Sequence, residues 1–200
     1  MFRQPFKVKL HNYHMKNKAA LEEEKQIARA LDGVEAAFKW LYDQYKNAHF
    51  VICLRYSSSK EEAEDMLQDG FIQIFNELNR FDSAKGSFYS WSVKVIINSC
   101  LQHIRKKKIV FTDIEDAGLQ QRLADDYNAF AQLSLEETMA ALQKMPDGYR
   151  TVFNLYHIEG YSHKEIAEML GITESTSKTQ LMKSKSYARY LLTNEIGIER

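Results

Sequence analysis

The stretch Glu159-Gly160-Tyr161-Ser162-His163-Lys164-Glu165-Ile166-Ala167-Glu168-Met169-Leu170-Gly171-Ile172-Thr173 decides how this chain folds. Ser162 and Glu165 stand three apart, the spacing at which a hydroxyl and a carboxylate cap a helix reciprocally. Ile166 and Leu170 then follow on one stripe, and Gly171 supplies the left-handed residue that ends a helix. Thr173 caps the next helix, which the pattern carries to about Leu192. Two helices joined by Gly171-Ile172-Thr173, with the small Ala167 on the first, form a helix-turn-helix signature. Where that motif binds DNA, its second helix enters the major groove. Any helical hairpin can end this way, so the motif alone leaves both DNA binding and plain helix packing open.

The faces of the last helix separate the two. At about 100° per residue, Ser177, Leu181, Ser184, Ala188 and Leu192 share the packing side. Thr176, Thr179, Lys183 and Ser186 lie opposite, with Ser175 and Met182 beside them and Lys178 at the edge. Hydroxyls bond phosphates or base edges, and lysine neutralises phosphate or reaches guanine acceptors. A merely solvated face is the alternative, but such a face mixes both charge signs, whereas a one-sign field steers a polyanion.

Upstream, Met145-Pro146-Asp147-Gly148 is a turn. Before it, Ser134 and Glu137 have capping-box spacing, and Leu135, Met139, Leu142 and Met145 lie on one stripe; after it a short helix carries Val152, Phe153 and Tyr156 and stops near Gly160. The first half reads as longer amphipathic helices. Ala36, Phe38, Trp40, Leu41, Tyr45, Phe50, Val51 and Leu54 recur at helical spacing up to Ser57-Ser58-Ser59. Ser59 with Glu61 and Glu62 opens a second run through Met66, Phe71, Ile74, Phe75 and Leu78, and a break at Phe81–Gly86 precedes a helix from about Ser87 to Lys107. Only 8 Gly and 2 Pro in 200 residues are too few for the recurring turns of a sandwich or barrel. A hydrophobic share of 44% with 24 aromatics suffices for a core. The expected class is all-α.

Lys plus Arg and Asp plus Glu are 27 each, so a uniformly basic nucleic-acid coat and an acidic disordered chain are both excluded. The charge is segregated instead. Lys94, Arg105, Lys106, Lys107 and Lys108 form one acid-free stretch, and Lys178, Lys183, Lys185 and Arg189 another. Between them Asp113, Glu115, Asp116, Asp125 and Asp126 face a single Arg122, a composition shift that marks a connector. The expected organisation is an unassigned extension over 1–20, a helical domain over 21–109, an acidic linker over 110–133 and a helix-turn-helix domain over 134–200. No uncharged apolar run approaches the ~20 residues of a spanning helix, and 2 cysteines make no disulfide framework. A cytoplasmic protein without membrane insertion is expected.

No Gly-rich phosphate loop, Gly-x-Ser-x-Gly or His-Glu-x-x-His is present, so neither catalytic residues nor a small-molecule substrate or cofactor is expected. His49 and Cys53 are four apart and Cys100 and His103 three apart, a set that would suit zinc if the helices met. Buried apolar cysteines are the commoner case, and no metal is assigned. Phe88, Tyr89 and Trp91 lead into Lys94, Asn98 and the Arg105–Lys108 cluster. Exposed aromatics stack unpaired bases while cations hold the strand. Taken singly, Phe88 and Trp91 read as core residues, and the basic run as a helix C-terminus complementing its dipole.

Together these segments resemble an RNA polymerase sigma factor of the extracytoplasmic-function (ECF) group, over about Gln26 to Leu192. Ala63-Glu64-Asp65-Met66-Leu67-Gln68-Asp69-Gly70-Phe71 resembles the family's polymerase-clamp-binding helix, and Phe81 to Asn98 its promoter-melting loop and following helix. Met145–Arg150 and Glu159–Ala167 resemble its C-terminal domain. The resemblance implies core RNA polymerase as partner through the β′ clamp coiled coil and the β flap, promoter DNA as target, and an inhibitory anti-sigma factor. It implies that Asp65, Gln68 and Asp69 bind the clamp. It implies minus-ten contacts from Phe81, Phe88, Tyr89, Trp91, Lys94, Asn98, Arg105 and Lys106. Minus-thirty-five contacts would come from Ser162, Lys164, Ser175, Thr176, Lys178, Thr179, Met182 and Lys183. Ser175-Thr176-Ser177-Lys178-Thr179-Gln180 departs from the family's common Gly-Thr-Val-Lys-Ser-Arg. Gln180 is expected to remove a phosphate-facing charge and Ser177 an apolar packing group. A self-sufficient helix-turn-helix regulator binding duplex DNA as a dimer, and a polymerase-binding protein that never melts DNA, are the competing expectations.

Overall fold

The computed structural model describes residues 6–107 and 135–194. The expected connector and the Ser134–Glu137 box lie outside the described residues. Among the described residues every regular element is helical: α1 (Phe6–Leu31), α2 (Glu35–Tyr56), α3 (Lys60–Asn76), α4 (Phe88–Lys106), α5 (Leu135–Lys144), α6 (Asp147–Phe153), α7 (His163–Leu170) and α8 (Glu174–Asn194). α1 begins well before residue 20 and continues past it, so the extension is continuous with the first bundle.

Helices α1 to α4 form that bundle, with α3 packed against α4 and α2, and α1 along α2. Ser59 caps α3 by accepting from the Glu62 amide at 3.2 Å, while Ser58 donates its amide and hydroxyl to the Glu62 carboxylate at 2.8 and 2.6 Å. The same carboxylate binds Lys107 and lies 3.7 Å from His103, clamping the start of α3 to the end of α4. Midway along, Gly70 allows close approach, since a Cβ there would stand 2.5 Å from Ile96 Cδ1. Two short 3-10 turns, Leu78–Arg80 and Ser83–Lys85, cross from α3 to α4, where Ser87 accepts from the Ser90 amide at 3.2 Å.

In the second half, Pro146 precedes α6, which runs on into a π-helical turn, Asn154–Ile158. Ser162 and Glu165 form the reciprocal capping box at the start of α7, and Gly171 ends it at φ 68°. The Thr176 amide donates to Thr173 Oγ1 at 3.0 Å, opening α8. Ala141, Leu142, Met145, Phe153, Ala188 and Leu191 form one apolar cluster here.

The remaining core is shared. Val152, Leu155, Ile166, Leu170 and Leu181 belong to one buried cluster with Leu41, Tyr56, Met66, Ile74, Ile96 and Ile104 of the first bundle. The junction also satisfies helix-end carbonyls that α2 cannot bond internally. Asn154 Nδ2 donates to the Arg55 carbonyl at 2.6 Å and Arg150 Nε to that of Tyr56 at 3.2 Å. Arg55 Nη2 pairs with Glu159 Oε1 at 2.8 Å, and Arg105 donates to the Met169 carbonyl.

Candidate polymerase and nucleic-acid interfaces

α3 is split lengthwise. Ala63, Met66, Leu67, Gly70, Phe71 and Ile74 are buried, which leaves Asp65, Gln68 and Asp69 exposed together. Their i, i+3, i+4 spacing makes them neighbours on one face.

The loop before α4 closes an aromatic cluster. Phe81 meets Phe88 edge-on with ring centroids 5.5 Å apart and Trp91 at 5.6 Å, while Phe88 and Trp91 are 5.7 Å apart. Phe88 is 1% exposed, which corrects its expected place against DNA: a ring sealed in the core supports Phe81 and Trp91 from beneath. Phe81 and Trp91 are half-buried, and Tyr89 is 43% exposed. Farther along α4, Lys94, Asn98, Arg105 and Lys106 are all exposed, although Arg105 is engaged with Met169.

Beside Tyr89 lies a stack that periodicity did not single out. The His49 ring stacks beside Tyr45 and Tyr89, at 5.8 Å from each, and those two rings are 6.1 Å apart, so the three form a triangle. Its Nε2 is 3.0 Å from Ser92 Oγ, its Nδ1 has no partner, and burial lowers its pKa to about 4. The ring is therefore neutral near pH 7. The sequence signal for this stack is the i, i+4 spacing of Tyr45 and His49 on α2, which puts both rings on one helix face. The zinc set does not converge: Cys53 and Cys100 sulfurs are 4.0 Å apart, but His49 turns to Ser92 and His103 to Glu62. The Cys53 sulfur, and after it burial, push the Cys100 thiol up.

On α8, Ser177, Leu181, Ser184 and Ala188 are buried as expected. The outward side centres on Ser175, Lys178 and Met182, with Thr176, Thr179 and Lys183 half-buried. The exposed face is thus turned toward Lys178 relative to the one drawn from periodicity. Gln180 is 2% exposed, so the expectation that it stands opposite phosphate is corrected: it belongs to the packing. Ser177 Oγ lies 2.9 Å from His163 Nδ1, a polar pair where apolar packing would be usual. His163 in turn stacks on Tyr156 at 4.6 Å. Lys164 is exposed, whereas the exposed Ser162 hydroxyl is committed to Glu165 at 2.7 Å. Glu174 brings an acid within 3.8 Å of Lys178, an open pair that contributes little.

Residues 41–109 match Sigma-70 region 2, and residues 135–186 match Sigma-70, region 4. The chain is 32% identical over 176 residues to the ECF RNA polymerase sigma factor SigW of Bacillus subtilis, covering 82% of this chain and 94% of that protein. It is 24% identical over 162 residues to SigM of the same organism, covering 80% and 97%. A solved structure of the sigma factor RpoE in complex with the anti-sigma factor NepR from Bartonella quintana aligns at 20% identity and a TM-score of 0.48, covering 79% of this chain and 98% of that one. A region 2 helix bundle followed by a region 4 helix-turn-helix defines a sigma-70-type initiation factor, which binds RNA polymerase and selects promoters. Within that class, this chain belongs to the ECF sigma factors. No helix among the described residues is long and apolar enough to cross a membrane.

Proposed function

We propose a division of labour for this sigma factor. Asp65, Gln68 and Asp69 on α3 dock on the β′ clamp, where the two carboxylates meet cations, and the second domain reaches the β flap. Phe81, Tyr89 and Trp91 hold the opened minus-ten strand, with Phe88 as their buried support, while Lys94, Asn98, Arg105 and Lys106 line its path. Lys178 and Met182 lead the approach to the minus-thirty-five major groove, flanked by Ser175, Thr176, Thr179, Lys183 and Lys164. Ser162 acts there by fixing the start of α7.

The observation that carries this reading is the exposure pattern. On α3, α4 and α8 one apolar stripe is buried, and the same turns leave Asp65 and Asp69, Lys94 and Asn98, and Lys178 and Met182 outside, with Ile72, Tyr89 and Tyr190 also exposed. The work is done by binding energy, without covalent chemistry: unstacking a base costs about a few kcal/mol, offset by capture of the extruded base. The protein acts in the cytoplasm, with residues 110–133 tethering the domains and an anti-sigma protein holding it in reserve. A dimeric regulator would leave the region 2 bundle without a role.

The test is run-off transcription with core polymerase and a promoter library. Asp65→Lys with Asp69→Lys abolishes core binding. Lys178→Ala weakens all minus-thirty-five-dependent promoters and lowers the salt slope of holoenzyme binding by about 1. Start-site-specific transcription that survives both changes would refute the assignment.

A further inference from the structure

The two cysteines take no part in the promoter contacts, yet the fold brings them together. Cys53 on α2 and Cys100 on α4 stand 47 positions apart in the chain, and both are free and buried. The Cys100 thiol donates to the Cys53 sulfur at 4.0 Å. A disulfide holds its sulfurs at about 2.05 Å, so an approach of about 2 Å closes one. The bond to Cys53, and after it burial, keeps the Cys100 thiol protonated, and a thiol reacts through its thiolate. Packed in this way the pair is inert. Its cover is shared with the junction: Val152 and Leu155 of the second half belong to the same buried cluster as both cysteines. The Tyr56 phenol, pushed up by burial first, also feels Glu159 and Cys100, and Cys100 feels Arg55. Parting the halves therefore thins the cover over the sulfurs.

We propose that Cys53 and Cys100 are an oxidant-sensing pair, which a peroxide closes to an intramolecular disulfide once the halves have parted, and that the bond lowers promoter opening. One thiolate attacks a peroxide oxygen, the O–O bond breaks, and the departing hydroxide takes a proton to leave as water; the product is a sulfenic acid. The second sulfur then attacks that sulfenic sulfur. The S–S bond forms, the S–O bond breaks, and the hydroxyl leaves as water with the second thiol's proton. Two thiols are oxidised and one peroxide is reduced to two waters. Cytosolic disulfides of this kind are transient and redox-sensing. The effect on promoter opening rests on the minus-ten role given to α4. Ile96, one turn before Cys100, packs so closely on α3 that a Cβ on Gly70 would stand 2.5 Å from its Cδ1. Drawing Cys100 toward Cys53 turns α4 against that close-packed contact and displaces Lys94 and Asn98 on its outer face.

The full chain is treated with hydrogen peroxide, then denatured and alkylated with a maleimide to count thiols. Both cysteines are alkylated before treatment, neither after it, and both again once a thiol reductant is added. Peptide mapping joins the Cys53 and Cys100 peptides within one chain. Leu155→Ala, an uncharged change that loosens the shared cluster, speeds the loss of thiols. With core polymerase, the oxidised chain gives several-fold fewer start-site-specific transcripts, and reductant restores them. Cys53→Ala and Cys100→Ala each abolish this response to peroxide; should either fold poorly, the thiol count of the wild type and its reversal still decide the bond. Thiols that persist through the treatment, or a link formed only between chains, would overturn the proposal. So would transcription equal before and after oxidation, an equal loss in the alanine variants, or Leu155→Ala oxidising no faster than wild type. A reduced wild-type chain that directs no start-site-specific transcription would instead defeat the promoter-binding role, while the thiol count stands independently of it.

Discussion

His49 shows how a single buried side chain ties this fold to pH. Its folded pKa of about 4 against 6.5 for the free ring corresponds to about 3 kcal/mol. Above pH 6.5 the ring is neutral in both states and the contribution is complete. Between 6.5 and 4 the unfolded chain takes up a proton that the folded chain refuses, so stability falls with pH. His157 and His163 are also lowered, by burial first, and act in the same direction. The difference in urea-unfolding free energy between wild type and His49→Leu isolates the one ring. That difference drops by about 3 kcal/mol from pH 7 to pH 4; a constant difference would contradict a neutral buried imidazole. Arg150 is the other residue on which much depends. Fully buried, it donates to the carbonyls of Leu142, Gln143 and Met145 at 3.4, 3.0 and 3.0 Å and pairs with Asp147. Burial lowers its pKa and Asp147 opposes that. Arg150→Ala strands those acceptors and the Asp147 charge, and calorimetry should show a loss of about 3 kcal/mol or more. Arg150 was visible in the sequence only as part of a family motif. Its burial, like that of Phe88 and Gln180, is decided by helices distant in the chain, which local periodicity does not contain.

At the scale of elements, the signals that could be read were those that act within one turn of backbone. Ser59, Ser87, Ser162, Thr173 and Gly171 each do locally what their residue type suggests, so the helix-turn-helix and the boundaries of α3, α4 and α7 were legible. The orientation of α8 was less so. Ser177, Ser184 and Gln180 are buried polar residues, so the packing face is wider than its apolar stripe, and the outward side shifts toward Lys178. Gly171 fixes where that side points. At φ 68° it occupies the left-handed region, where a Cβ would meet no neighbour within 4 Å, so substitution is opposed by backbone strain alone. Gly171→Ala should cost about 1–2 kcal/mol in thermal unfolding. It should also weaken minus-thirty-five binding more than minus-ten-strand binding in gel-shift assays with holoenzyme. Equal weakening at both would indicate that the turn does not set the angle of α8.

For the whole molecule, the contact between the two halves conflicts with simultaneous reading of two promoter elements. The elements are roughly 25 base pairs apart, about 85 Å of B-DNA at about 3.4 Å per step, while α2, the long helix at the junction, spans only about 33 Å at its 22 residues. Binding both therefore requires the halves to part. The junction is built in a way that permits this. It has apolar burial, the Arg55–Glu159 pair and three bonds to helix-end carbonyls, of Arg55, Tyr56 and Met169, in its favour. Against these, Arg55 Nε, Tyr56 Oη and Asn154 Oδ1 are buried without partners, at about 1–3 kcal/mol each. Parting the halves lets water reach all three atoms and frees Arg105 from Met169. Fluorophores on cysteines placed at the exposed Ala36 and Glu168 should report high energy transfer in the free chain and a large fall when core polymerase binds. Arg55→Glu should lower transfer before polymerase is added and speed core association, and Glu159→Arg in the same chain should partly restore the closed signal by rebuilding the pair in reverse. Energy transfer unchanged by polymerase would mean that the halves stay together while bound, and the two-element reading could not stand.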